Sequence, residues 1–258
     1  MTYSTILLEH EGPVDWVTLN RPASLNAISH AMIEELYAYF DALTRNYATR
    51  IVVLRGAGRG FCSGLDLREG LPPPVAQNDA KEPSASLPQV VRLMRACPQP
   101  IISLIHGPAC GGGFMLALAS DIRIAGDTGR MNDAFIKLGL SGCELGMSYF
   151  LPRTVGLSVA SELMLTGNFI DAPRALSTGL VSRVVPDHAL AQAARELIAP
   201  MLQTTPHGLR STKQTLNQAL ALNDLGTVID LEERAQILCM LSPDARRQIT
   251  QSPAQQDG

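Results

Sequence analysis

One stretch constrains the fold of this chain more than any other: PIISLIHGPACGGGFMLALASDIRIAG, residues 100–126. Two short apolar runs frame a glycine triplet that opens into an apolar, helix-forming segment with almost no polar side chain. Runs of four to six such residues bounded by turn signals read as strands, and the segment between them reads as a buried helix. Strand, glycine turn, helix and strand in succession is the pattern of a mixed α/β architecture.

The chain before this stretch follows the same logic. STILLEH and VDWVTLN are strand-like runs separated by the turn signal Glu11-Gly12-Pro13. LNRPASLNAIS breaks the pattern. Ser29 then stands as an N-cap, with Met32, Ile33, Leu36, Tyr39, Phe40 and Leu43 at helical spacing behind it. IVVLRG is a buried strand that runs into the glycine-rich GAGRGFCSG. Residues 70–88, rich in proline and polar side chains, read as a long loop, and a helix follows at 89–96.

After the glycine triplet the pattern changes. Residues 132–148 are irregular, and helical periodicity returns at 155–166 and 172–178. A short extended VSRVV precedes helices at 189–202, 207–222 and 225–241, and ITQSPAQQDG is a polar, frayed tail. There are no internal repeats. The expected organisation is a βα-rich core over 1–185 and a helical region over 186–258.

Composition excludes several classes. At 258 residues and 46% hydrophobic the chain can bury a full core, and its net charge of −3 gives no drive toward nucleic acid or an anionic membrane. No apolar run reaches the length of a membrane span and MTYSTILLEHEG is not a signal peptide, so the expectation is a cytoplasmic chain. Cys62, Cys97, Cys110, Cys143 and Cys239 are scattered, without CxxC or His/Cys ligand spacing. They are expected to be reduced, small, buried hydrophobes, and no metal site is expected.

Two loops leave strands at comparable places and offer backbone N–H groups rather than side chains. In FCSGLDL, Gly64 permits an unusual turn. In CGGGF the triplet lets a ligand approach the main chain at a helix N-terminus, where free N–H groups and the helix dipole favour negative charge. Two such donors converging would form an oxyanion hole, suited to a carbonyl oxygen that becomes an enolate. The other glycine-loop chemistries fail on spacing. GAGRGF is not GxGxxG, no Gly-Lys-Ser/Thr follows a glycine cluster, and Ser63 lies in GFCSG rather than GxSxG.

LNRPASLNAIS, RGFCSGLDL, HGPACGGGFMLALASDIRIA, LPRTVG, ALSTGLVSRVV and LEERAQ together resemble the crotonase, or enoyl-CoA hydratase/isomerase, superfamily, in register from about residue 5 to about 240. The resemblance implies a spiral of ββα units, with C-terminal helices that build homotrimers or dimers of trimers. It implies a coenzyme A thioester as substrate in fatty-acid metabolism, with no separate cofactor. By the same resemblance the oxyanion donors are the N–H groups of Leu65 and Gly112. Ser63, Gly64, Leu65, Asp66, Leu67, Arg68, Gly111 and Gly112 would line the thioester channel, and residues 20–26 would border its pantetheine and adenine side.

The resemblance also exposes departures. Where the family's hydratases keep two glutamates around one water, this chain has Met115 and Phe135, and neither can exchange a proton. Glu144, in the following loop LGLSGCELGMSYFLP, is the candidate replacement, resembling isomerases of the family that carry a lone glutamate there. One carboxylate in an apolar surround can move a proton between two carbons while the oxyanion hole holds the dienolate. The leading expectation is therefore enoyl-CoA isomerisation or weak hydration with Glu144 as acid/base. The alternatives are C–C bond synthesis or hydrolysis on a CoA ester and a non-catalytic acyl-CoA binder. Asp133 is a weaker second base. Asp66, Asp121 and His106 read as structural, and Glu69 and Asp79 border or occupy the long loop. The family's aromatic C-terminal segment is replaced by ARRQITQSPAQQDG, leaving Arg246 and Arg247 as the nearest candidates for CoA phosphates.

Overall fold

The computed structural model describes residues 3–70 and 85–250. Its strands are β1 (Ile6–Glu11), β2 (Val14–Leu19), β3 (Ile51–Gly56), β4 (Ile101–Ile105), β5 (Pro108–Cys110), β6 (Ile122–Gly126), β7 (Arg130–Asn132), β8 (Ile170–Asp171) and β9 (Arg183–Val185). Its α-helices are α1 (His30–Leu43), α2 (Leu87–Ala96), α3 (Gly112–Ala119), α4 (Met147–Val155), α5 (Leu157–Thr166), α6 (Ala172–Ser177), α7 (Leu190–Gln203), α8 (Pro206–Ala219), α9 (Leu225–Leu241) and α10 (Pro243–Thr250).

The strands form two sheets, ordered β1-β2-β3-β4-β6-β9 and β5-β7-β8. In the larger sheet β1 and β2 pair antiparallel and every other neighbour pairs parallel. The chain steps from one sheet to the other and then into a helix. It does so at β4-β5-α3, and again at β3, where Cys62 bridges Ala109 of β5 before the chain reaches α2. This is the spiral of ββα units that the sequence motifs imply.

Period-2 alternation explains why the larger sheet is buried on both faces. Val52 and Leu54 of β3 join a core with Met32, Leu36 and Phe40 of α1, whereas Ile51 and Val53 face Leu190, Ala193, Ala194 and Ile198 of α7. The first helix of the C-terminal region thus closes the second face of the sheet. Helix α1 starts as the sequence predicts, with the Ser29 hydroxyl accepting from the Met32 N–H at 3.2 Å and the six periodic apolar residues buried.

Three expectations are corrected. The irregular segment ends earlier than expected, because α4 occupies residues 147–155 with Pro152 inside it. Proline reads as a breaker in sequence, but near a helix end it leaves only a carbonyl of the preceding turn without its donor. The tail is helical through Thr250 rather than frayed from Ile249, and the remainder lies outside the described residues. Cys143 is exposed rather than buried, and Cys110 and Cys239 are half-exposed. Residues 71–84 of the long loop, Asp79 included, also lie outside the described residues, while Leu87 and Pro88 already belong to α2.

Candidate active site

The two glycine loops meet because the strands that feed them run side by side. Phe61 donates its N–H to the His106 carbonyl at 2.8 Å, Cys62 to Pro108 at 3.0 Å, and Cys110 to Cys62 at 2.9 Å. Past this ladder each chain turns on a glycine with positive φ, +96° at Gly64 and +48° at Gly111. A Cβ on Gly64 would lie 2.9 Å from the Cys110 carbonyl oxygen, and one on Gly113 would lie 2.5 Å from the Cys62 carbonyl oxygen, so neither position has room for a side chain.

That close approach brings two amides to one place. A Cβ on Gly64 would stand 3.8 Å from the Gly112 nitrogen, and one on Gly112 would stand 4.0 Å from the Leu65 nitrogen. On the opposite edge of the Gly64 loop, Ile28 donates to the Gly64 carbonyl at 2.8 Å and Asp66 donates to Ile28 at 2.9 Å. Pairing on that edge leaves the Leu65 N–H directed away from it. Gly112 is the first residue of α3, where an N–H has no acceptor within its helix. Neither amide donates to another described residue. Two unpaired donors at the positive end of a buried helix have the chemistry to hold a developing oxyanion.

The remaining candidates on the Gly64 loop split by side-chain partner. Ser63 is tied to the 20–28 segment, its N–H donating to Leu25 at 2.9 Å and its hydroxyl to the Ser24 carbonyl at 3.2 Å. Asp66 is buried and accepts from Arg68 Nε and from Arg21 Nη2, each at 2.9 Å. The Arg68 guanidinium beside it holds its carboxyl well below the usual carboxylate range, so Asp66 is a permanent anion that orients two arginines. Leu67 and Arg68 are exposed at the rim. Glu69 accepts the His30 N–H at 2.8 Å at the start of α1.

Asn26 is the residue that sequence reasoning missed as a brace. It is fully buried with φ +57°, and its amide donates to the carbonyls of Ala57 (2.8 Å), Gly60 (2.9 Å) and Phe61 (3.2 Å) while its oxygen accepts from the Arg21 N–H at 2.9 Å. It welds the 20–28 segment to the loop that presents Leu65. The available signal was its place in LNRPASLN, since asparagine is the side chain most at ease in left-handed backbone after glycine.

The side-chain candidates sit in a different setting. Met115 is fully buried in the core on α3, and the Phe135 ring lies 3.6 Å from where a Gly111 Cβ would be, so both departures from the hydratase pattern are buried apolar side chains. Glu144 is exposed rather than enclosed by apolar side chains, because it sits on the surface of a loop between Gly139 and Gly146. It edges a cleft of about 640 Å³ together with Val91, Arg92, Arg95, Tyr149 and Phe150. Leu87, one turn before Val91 on α2, reaches within 3.0 Å of the Gly112 Cβ position, so α2 runs from the amide pair to the Glu144 cleft. The next residue, Leu145, is held at φ +57°, an uncommon conformation for a branched side chain and a constraint on where Glu144 starts.

Asp121 and His106 are structural. Asp121 accepts from the Ile101 N–H at 2.8 Å and pairs with Arg95 and Lys213, each at 3.0 Å, and the His106 ring meets the Gly58 carbonyl at 2.9 Å. Among the described residues, no group of three or more His, Cys, Asp or Glu side chains is placed to hold a metal ion, and no helix is long and apolar enough to cross a membrane.

Comparison with known proteins completes the picture. The sequence profile of the enoyl-CoA hydratase/isomerase family matches residues 9–249. The probable enoyl-CoA hydratase echA12 of Mycobacterium bovis is 38% identical over 246 residues, 93% of this chain and 86% of its own length. The 1,2-epoxyphenylacetyl-CoA isomerase of Escherichia coli is 35% identical, covering 95% of this chain and 94% of that protein. The crystal structure of a monofunctional enoyl-CoA isomerase from M. smegmatis is 36% identical, with a TM-score of 0.75 over 87% of this chain and 98% of that one.

Proposed function

The chain belongs to the enoyl-CoA hydratase/isomerase family, and from that premise we propose that it isomerises enoyl-CoA thioesters with the Leu65 and Gly112 amides as oxyanion hole and Glu144 as the single acid/base. The observation that carries this reading is the pair of unpaired amides that meet at the start of α3, with buried apolar Met115 and Phe135 at the two positions where a two-carboxylate hydration site would need acids. Relatives named as isomerases, at 35% and 36% identity, support the same direction.

In the proposed reaction the Glu144 carboxylate takes the α-proton of a 3-enoyl thioester. The electron pair of the broken C–H bond delocalises onto the thioester oxygen, which the two N–H groups hold. The protonated acid then returns its proton to the γ-carbon, and the double bond ends between the α and β carbons. No water is added and no separate cofactor is needed. Ser63, Gly64, Asp66, Leu67, Arg68 and Gly111 shape the channel wall, with Asp66 acting through Arg68 and Arg21. Exposed Glu144 is completed by the acyl group, which covers the cleft and excludes water when bound.

Assembly and location complete the proposal. None of the 17 residues of α9 is fully buried, and Leu225, Leu238 and Leu241 are 73%, 59% and 59% exposed, which supports association of copies into a trimer or dimer of trimers. The expected compartment is the cytoplasm.

The test is turnover of purified protein with 3-enoyl- and 2-enoyl-CoA. Wild type should isomerise the former, and Glu144→Gln should lose at least about 100-fold in kcat with thioester binding retained. Unchanged turnover in Glu144→Gln would assign the proton to another group. Thioester binding without turnover by wild type on either substrate would make the chain a binder.

A further inference from the structure

One buried carboxyl has no part in the chemistry above. Asp133 follows β7 directly and is 0% exposed. Its Oδ1 takes a long hydrogen bond, 3.3 Å, from the Phe135 N–H, and its Oδ2 has no partner among the described residues. That Oδ2 lies 2.7 Å from where a Gly142 Cβ would stand, and the Met164 carbonyl oxygen lies 2.8 Å from the same point. The carboxyl is therefore wedged between the last turn of α5 and the 139–146 loop, two residues from Glu144.

No charge nearby compensates it. Lys137 reaches Asn168 at 3.4 Å, Glu162 pairs with Arg174 at 2.6 Å, and Arg130 stacks over the Phe169 ring at 4.9 Å. Cys143 and Glu144 are exposed, and burial pushes the Cys110 thiol up to about 11. The Met164 carbonyl in the last turn of α5, which approaches the same point beside Gly142 as Oδ2 does, carries partial negative charge and has no proton to offer. A neutral acid suits that place because it brings its own donor. A carboxylate does not. Burial accordingly pushes the Asp133 carboxyl up to about 6.

We propose that Asp133 is a positioning residue for the Glu144 loop: protonated, it lets residues 139–146 pack closed against α5, and ionised, it releases them. Gly139 and Gly146, at φ +76° and +96°, bound the segment. This rests on the reading of Glu144 as acid/base. Substrate binding closes the loop and favours the protonated form, so thioester binding takes up a proton above the titration of Asp133 and the pH effect falls on kcat/KM rather than kcat.

A bimane attached to the exposed Cys143, in a Cys110→Ala, Cys239→Ala background, reports the loop without reference to turnover. Its emission should shift with a midpoint near pH 6, and the shift should vanish in Asp133→Asn, whose amide supplies a donor at every pH. Wild-type kcat/KM for a 3-enoyl-CoA should fall by up to about tenfold per pH unit above the midpoint, and that of Asp133→Asn should not. Asp133→Ala, which removes the titrating group without burying an amide, should likewise abolish the shift, which keeps the test decisive if Asp133→Asn fails to fold. Absence of the transition in wild type, or its persistence in Asp133→Asn, overturns the proposal whatever Glu144→Gln does. Full turnover in Glu144→Gln, with the bimane transition intact, overturns the catalytic reading and leaves the titrating loop standing.

Discussion

The amide pair at Leu65 and Gly112 and the loop that carries Glu144, the two parts of the proposed site, are built on opposite plans. The amides belong to backbone fixed from several sides: a ladder between Phe61–Cys62 and His106–Cys110, two glycines without room for a methyl, and the buried Asn26 across three carbonyls. The Glu144 loop is held by a turn between Met147 and the Glu144 carbonyl at 2.9 Å, a Ser141 hydroxyl accepting from Cys143 at 3.0 Å, and a poorly satisfied Asp133 beneath it. In the proposed isomerisation, charge stabilisation needs donors that do not reorganise, whereas the proton is taken at one carbon and returned at another. Rigidity serves the first task, and latitude serves the second.

Altering the rigid half should give the largest effect. Gly64→Ala forces a side chain into φ +96° and sets its methyl 2.9 Å from the Cys110 carbonyl oxygen, so the backbone must move and take the neighbouring Leu65 N–H with it. Loss of one oxyanion donor predicts a fall in kcat of about 100- to 1,000-fold, or about 3 to 4 kcal/mol of barrier. Steady-state kinetics on a 3-enoyl-CoA, with circular dichroism to verify folding, checks it. A Gly64→Ala protein with wild-type kcat would mean that this amide does not hold the oxyanion.

Asn26→Ala separates bracing from chemistry, since Asn26 touches neither amide. It strands the Ala57, Gly60 and Phe61 carbonyls and places alanine at φ +57°. The expected cost is about 3 kcal/mol of unfolding free energy, measured by denaturant titration, with no change in the bimane transition at Cys143. A loss below about 1 kcal/mol would show that the ladder alone fixes the rigid half.

This division also explains what could be read without coordinates. The amide pair was legible because it rests on glycines, and glycine at 64, 111 and 112 announces a backbone that must stay bare. The strands were legible because β3 and β4 are uninterrupted apolar runs, and α1 because Ser29 caps a regular apolar stripe. Helix α4 was obscured by Pro152, whose cost is paid by tertiary packing of the buried Met147 and Leu151. The exposure of Glu144 and the isolation of Asp133 were not legible at all. Each depends on which segment lies opposite, Gly142 and the end of α5 for Asp133, and no local pattern encodes a neighbour that distant in the chain.

The smallest expected effect tests the flexible half through stability alone. The folded Asp133 carboxyl sits at about 6 against an unfolded value of 3.8, so the native state binds the extra proton between those limits. Stability contributed by this group is therefore complete below pH 3.8, falls as pH rises toward 6, and stays lost above it. About two pH units of displacement correspond to at most about 3 kcal/mol. Asparagine never ionises, but its amide is buried in the same place, so Asp133→Asn should gain about 1 to 2 kcal/mol over wild type at pH 8. The two should converge near pH 4, where both present a neutral side chain. Denaturant unfolding at the two pH values gives the difference directly, and an equal gap at both would mean that ionisation of Asp133 is not what loosens the Glu144 loop.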